Sequence, residues 1–238
     1  MSGCFYALGG ANYDKRESLL IDLDIIKESK KDKPNVLLIS AANNNDICKI
    51  NTFKSYYEGL NTIVKPLDPN ILEFDKLTKI FSDVDIIYLL GGITSRLLEY
   101  AKIINLGQLL INAYNDGKII VGVSAGAIIF FDYGYGDKEA YQYNLETVNH
   151  KITKGLGIFN GIFCPHYQNS GLISFNEVIK TYDLNGFALE NGAALKINSQ
   201  GFIVVREKGC SAFMFDKNIN HKLIYLNDKC SYNIKLFR

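Results

Sequence analysis

A three-layer, doubly wound α/β fold, with a mostly parallel sheet and antiparallel strands at its C-terminal end, is predicted by three observations. Short runs rich in Val, Ile and Leu alternate with longer stretches of helical periodicity through the first half of the chain. Those runs are apolar throughout rather than alternating, as expected of strands covered on both faces. After Gly186 the pattern changes to strand-like runs separated by Asn-, Gly- and Asp-rich turns, which favours antiparallel pairing.

The elements follow in order. FYALGG, at 5–10, is a strand ending in paired glycines, and Ala11 to Lys31 reads as a helix with an apolar face of Leu19, Leu20, Leu23, Ile25 and Ile26. Asp32-Lys33-Pro34 turns the chain into a second buried strand, NVLLIS at 35–40. The polar cluster from Asn43 to Asp46 can cap a helix that carries Ile47, Ile50, Phe53 and Tyr57. NTIVKPL, at 61–67, is a third strand stopped near Pro66 and Pro69, and a helix is expected over 72–81. DIIYLLGG, at 85–92, is a fourth strand, followed by helices over Thr94–Lys102 and Leu106–Tyr114. Asn115-Asp116-Gly117 then turns into the β-branched run at Ile119 to Val121. Beyond Phe131 the sequence is loop-like as far as Thr153. GIFNGIFCPHY, at 157–167, returns to strand, Phe175 to Tyr182 is helical, and the antiparallel runs complete the chain. With no repeat and no low-complexity linker, one domain is expected over residues 1–238.

Bulk properties narrow the function classes. The 238 residues are 47% hydrophobic and 21% charged, an ordinary globular balance that supports a sizeable core. A net charge of +1 gives no field for nucleic acid or an anionic membrane. No apolar run reaches the roughly 18–20 residues of a membrane span, and Met1-Ser2-Gly3-Cys4 leads into the first strand without a signal-peptide core. Cys4, Cys48, Cys164, Cys210 and Cys230 are scattered and odd in number, which points to reduced thiols and a cytoplasmic protein. Three histidines, none at ligand spacing from a cysteine pair, give no metal site.

The chemistry concentrates at Gly122-Val123-Ser124-Ala125-Gly126-Ala127, which lies between a strand and an apolar, helix-compatible stretch. That context is what a G-x-S-x-G nucleophile elbow requires: small residues permit a strained turn with the serine at its apex. The amide of Ala125 then sits at a helix N-terminus, where it can face an oxyanion. The same motif can also be only a packing turn or a phosphate loop. A serine alcohol needs a base. His150 and His221 lie in polar, surface-like stretches, whereas His166 ends an apolar strand, either as that base or as a histidine satisfied by backbone. Glu190, between two apolar runs, is a candidate acid, with Asp132, Asp137 and Glu139 as competitors. Gly91-Gly92, at a strand end, offers Gly92 as a second oxyanion donor or simply makes the turn; Gly9-Gly10 can line the same crevice or only turn the chain.

Taken in order, YLLGGITSRLL, VGVSAGAIIF, FCPHY and FALENGAAL resemble the glycine-rich, elbow, histidine and acid segments of the peptidase E and cyanophycinase-like serine peptidases. The resemblance spans roughly residues 85–195 and implies a class I glutamine-amidotransferase-like fold with a flavodoxin-like core. It implies Ser124 as nucleophile, His166 as base and Glu190 as acid, with Asp137 or Glu139 in its place if the acid falls between serine and histidine. Gly92 and Ala125 would form the oxyanion hole, and Gly91, Ile93, Thr94 and Tyr167 would contact substrate. No metal or organic cofactor is implied. The expected substrate is a short peptide or isopeptide, cleaved next to an acidic residue. Two departures stand out: Ile93 replaces the family's usual Asn, and QNSGLISFNEV after His166 lacks the arginine and acidic residues often found there. They keep open an esterase or amidase on the same machinery, or a non-catalytic protein that binds a small ligand. A homodimer is expected from the size class alone.

Overall fold

The computed structural model describes residues 3–137, 150–168, 174–228, 230–234 and 236–237, with the backbone alone at 137 and 150. The apolar runs of the N-terminal half form β1 (Cys4–Leu8), β2 (Asn35–Ile39), β3 (Ile63–Pro66), β4 (Ile86–Leu89) and β5 (Ile119–Val123). They pair in parallel in the order β1-β5-β4-β2-β3. Between them run α1 (Leu19–Glu28), α2 (Ile47–Glu58), α3 (Phe74–Ser82), α4 (Thr94–Ile103) and α5 (Leu106–Asn115).

Alternation along β1 shows why a run apolar throughout is needed. Tyr6 and Leu8 pack with Ile21 and Ile25 of α1 and with Phe53 and Tyr57 of α2. Phe5 and Ala7 face the other way, into a larger core that holds Leu77, Leu97 and Leu110 of α3, α4 and α5. Phe5 meets Phe130 and Phe159 edge-on, at centroid distances of 5.1 and 4.9 Å. Burial of each such ring contributes about 1.5–3 kcal/mol.

Beyond β5 the chain makes α6 (Ala125–Ile128), one turn long, and enters a second sheet. Its strands are β6 (Phe131–Asp137), β7 (His150–Lys154), β8 (Phe159–Cys164) and, after α7 (Phe175–Val178), β9 (Gly186–Leu189). The C-terminal strands are β10 (Ala193–Asn198), β11 (Gly201–Arg206), β12 (Ala212–Asp216), β13 (Lys222–Tyr225) and β14 (Ser231–Tyr232). Of these, β10, β11 and β14 extend the first sheet past β1, all antiparallel, to eight strands among the described residues. The second sheet has six among them, ordered β13-β12-β9-β8-β6-β7.

Four expectations are corrected. The stretch expected to be loop is strand at Phe131–Asp137 and His150–Lys154, with 138–149 outside the described residues: Tyr133 and Tyr135 alternate with glycines because a Cβ at Gly134 would collide with Ile128. The β9 segment pairs parallel to β8 and antiparallel only to β12. A helix over 11–31 begins only at Leu19. Its buried face is Ile21, Asp22 and Ile25, while Leu20 and Leu23 are exposed.

Asp22 turns that helix. Fully buried, it accepts hydrogen bonds from Ser18 Oγ (2.7 Å), Tyr57 Oη (2.6 Å) and Tyr56 Oη (2.9 Å). Close by, Tyr13 Oη donates to Tyr88 Oη at 3.2 Å. Burial pushes the Asp22 carboxyl up to about 6, against those three hydrogen bonds and with Glu207 adding repulsion. A carboxyl raised in the folded state holds its proton while the unfolded chain has already lost it, so its contribution to stability falls as pH rises from about 4 to about 6. Asp22→Asn is therefore expected to gain on the wild type as pH climbs through that window, read from thermal midpoints at its two ends. Asp22→Ala should lose several kcal/mol at any pH, because three hydroxyls are left without their acceptor, at about 1–3 kcal/mol each.

Candidate active site

Ser124 stands between β5 and α6 with φ 53° and ψ −112°, a strained conformation for a residue with a side chain. Its amide donates to Leu8 O at 3.0 Å, and its carbonyl accepts from the amides of Ala127 and Ile128, both at 2.9 Å. The glycines on either side allow the turn to close: a Cβ at Gly122 would strike the Gly126 carbonyl. This is the strand-turn-helix context expected of an elbow.

His166 follows β8 and also has positive φ, 54°. Its amide donates to Gly9 O at 3.0 Å. That places its Nε2 2.8 Å from Ser124 Oγ and its Nδ1 2.6 Å from Asn191 Oδ1. Asn191 lies in the tight turn from β9 to β10. The turn is fixed by Asn191 N donating to Gln168 Oε1 (3.0 Å) and by Gly192 N donating to Gly10 O (3.0 Å). An amide oxygen can only accept, so Nδ1 carries the proton and the Nε2 lone pair faces the serine hydroxyl. Gly10 packs directly on this pair: a Cβ there would collide with Asn191 Oδ1 and stand 2.6 Å from two atoms of the imidazole.

The expected acid, Glu190, is not the residue on His166. Its carboxylate accepts from Ser211 N at 2.8 Å and lines a separate cleft with Arg16, Glu207 and Cys210. Successive side chains of the turn diverge, so only Asn191 reaches the ring. Asp132 is buried in the second sheet and accepts from Gly161 N at 3.1 Å. Glu139 and the Asp137 side chain lie outside the described residues, as does the His150 side chain. His221 is turned onto Leu184 O at 3.0 Å.

Ser124 and His166 open into a cleft of about 330 Å³ whose wall includes Gly91, Gly92, Tyr13, Asp14, Asn43 and Lys49. The amides of Gly92 and Ala125 donate to no other described residue. Ile93 and Thr94 are buried at the start of α4 and do not line the cleft. Tyr167 also lies outside the wall: its ring rests on Phe213, and its hydroxyl donates to Asn176 Oδ1 at 2.7 Å. Sequence reasoning missed Asn43, which was placed in a helix-capping cluster, and Lys49, which was not singled out. Asp46 is the cap, accepting from the amides of Cys48 and Lys49. The available signal was position, since both follow the carboxyl end of a parallel strand, where α/β sites gather. Among the described residues, no group of His, Cys, Asp or Glu is arranged to hold a metal ion, and no helix is long and apolar enough to cross a membrane.

Comparisons with known proteins bear on the fold and the family. The chain is 29% identical over 213 residues to the uncharacterized peptidase YgaJ of Bacillus subtilis (strain 168), covering 87% of this chain and 89% of that protein. Its fold matches the crystal structure of a peptidase from an acI-B1 Actinobacterium with a TM-score of 0.73, over 98% of both chains at 17% identity. The model of peptidase family S51 matches residues 5–205. With that match extending over most of the chain and including the elbow, the histidine and the turn that faces it, the protein belongs to peptidase family S51, a family of serine peptidases.

Proposed function

We propose that this protein hydrolyses short peptides or isopeptides next to an acidic residue, with Ser124 as nucleophile, His166 as general base and Asn191 as the group that orients the imidazole. The observation that carries the reading is the 2.8 Å approach of His166 Nε2 to the hydroxyl of a strained elbow serine at the floor of a cleft. Ser124 Oγ attacks the scissile carbonyl while Nε2 takes its proton. The tetrahedral oxygen is held by the amides of Gly92 and Ala125. The imidazolium then returns the proton to the leaving nitrogen, and water repeats the sequence on the acyl-enzyme.

Substrate size and charge follow from the cleft. About 330 Å³ admits a short segment rather than an extended chain. Lys49 from α2 and Asp14 from the β1–α1 loop are exposed in its wall and set one positive and one negative charge around the nucleophile. That pairing suits a short peptide presenting a carboxylate and a free amine.

Peptide cleavage on a panel of dipeptides and isopeptides, with and without acidic residues, tests the reading. Ser124→Ala should abolish turnover, a loss of about 10³-fold or more, with an unchanged circular dichroism spectrum; full activity in that variant overturns the assignment. Asn191→Leu should lower kcat by about 10²-fold, whereas Glu190→Gln should stay within about threefold of wild type, since its carboxylate points into the other cleft. The reverse order would return Glu190 to the role of orienting acid. Gly10→Ala should cost about 10²-fold in kcat, since displacing a catalytic group by about 1 Å has that effect, with little change in thermal midpoint.

A further inference from the structure

Two glycines in succession make the most permissive peptide a chain can offer, yet an oxyanion donor has to be held in place before the reaction begins. The Gly91–Gly92 peptide meets both conditions because of what stands behind it. Asn43 Nδ2 donates to Gly91 O at 2.5 Å. Lys49 Nζ in turn donates to Asn43 Oδ1 at 2.7 Å, which fixes which end of the amide faces Gly91. On the far side of Gly92, the amide of Ile93 donates to Ala42 O at 2.9 Å. Gly92 itself has φ +147°, and a Cβ there would come within 2.5 Å of Ala42 O.

The carbonyl of Gly91 and the N–H of Gly92 are the two ends of one planar unit, and no peptide bond among the described residues is cis. Holding the carbonyl on Asn43 therefore sends the N–H to the opposite side. Gly91 lies against the nucleophile, its missing Cβ position 3.1 Å from Ser124 Cβ and 3.7 Å from Oγ. If the peptide turned over, the carbonyl oxygen would take the place of the N–H and repel the developing charge. We infer that Asn43 is a positioning residue of the oxyanion hole: its side-chain amide locks the Gly91–Gly92 peptide in the donor orientation. Lys49 makes the relay charge-assisted and so strengthens the Gly92 N–H as a donor.

This inference rests on the proposed role of Gly92 and Ser124, and the test separates the two. Asn43→Asp keeps the shape of the side chain and its contact with Lys49 but cannot donate to Gly91 O. On whichever peptide the wild type cleaves through Ser124, Asn43→Ala, which adds no charge beside Lys49, is expected to lower kcat by about tenfold to a hundredfold, somewhat less than outright removal of an oxyanion donor, with KM within about threefold. Asn43→Asp should lower kcat likewise and also raise KM, since its carboxylate pairs with Lys49. A peptide aldehyde, whose adduct with serine carries the oxyanion, should lose affinity for Asn43→Ala by the same factor as kcat. An unreactive substrate-sized competitor should bind Asn43→Ala unchanged. An unchanged kcat, or an effect confined to KM, overturns the positioning role and makes Asn43 structural or a substrate contact. Labelling by a serine-directed phosphonate supplies a readout that needs no peptide substrate. Wild-type labelling with an equal rate in Asn43→Asp overturns the positioning role alone; a wild type that neither cleaves nor labels overturns the nucleophile and the positioning role together.

Discussion

At the carboxyl end of β1, three consecutive carbonyls, those of Leu8, Gly9 and Gly10, each accept one amide hydrogen, from Ser124, His166 and Gly192 respectively. These donors come from three regions far apart in the chain, and each belongs to, or adjoins, one of the three groups in the Ser124–His166–Asn191 hydrogen-bond chain. The mixed sheet makes this convergence possible. A parallel neighbour of β1 delivers its carboxyl end to the same edge, and β5 brings the elbow that way. An antiparallel neighbour delivers its amino end, and β10 brings the turn with Asn191 that way. The second sheet delivers His166 by its own strand, β8. One backbone segment thus sets the spacing of the three, and it leaves no room for a side chain at position 10.

Asparagine at the end of that hydrogen-bond chain has an electrostatic consequence. A carboxylate would fix the imidazole tautomer and also stabilise the imidazolium formed during reaction. An amide oxygen performs the first task fully and the second only through its dipole.

The parts legible in the sequence were those with a local signature. The elbow was readable because glycine flanks serine between a β-branched run and small helix formers. The parallel strands were readable because strands covered on both faces are apolar at every position. What escaped depended on contacts far along the chain. Leu20 and Leu23 of α1 looked like core by periodicity, but Asp22, satisfied by tyrosines 34 and 35 residues away, turned the helix to bury itself. The glycines of β6 read as turn formers, when they are small because Ile128 occupies the space above Gly134. Which of Glu190 and Asn191 meets His166 depended on the course of one tight turn, and charge drew attention to the neighbour whose carboxylate bonds Ser211 instead. Asn43 reaches the main-chain carbonyl of Gly91, a contact that leaves no spacing pattern.

The pairing of β1 with β10 also bears on when the protein becomes competent. Phe5 stands opposite Ile197, so nearly two hundred residues must be made before that ladder can zip. Contacts of such long range form late, because the entropy of closing the loop is lost before the contact repays it. Until β10 docks, Gly10 has no Gly192 amide to hold and the imidazole has no Asn191 to orient it. A nascent or half-folded chain can form the turn at Ser124 while the residues that stand around it in the folded protein are still apart. The topology therefore orders events in time: the hydrogen-bond chain of Ser124, His166 and Asn191 closes only when folding is nearly complete.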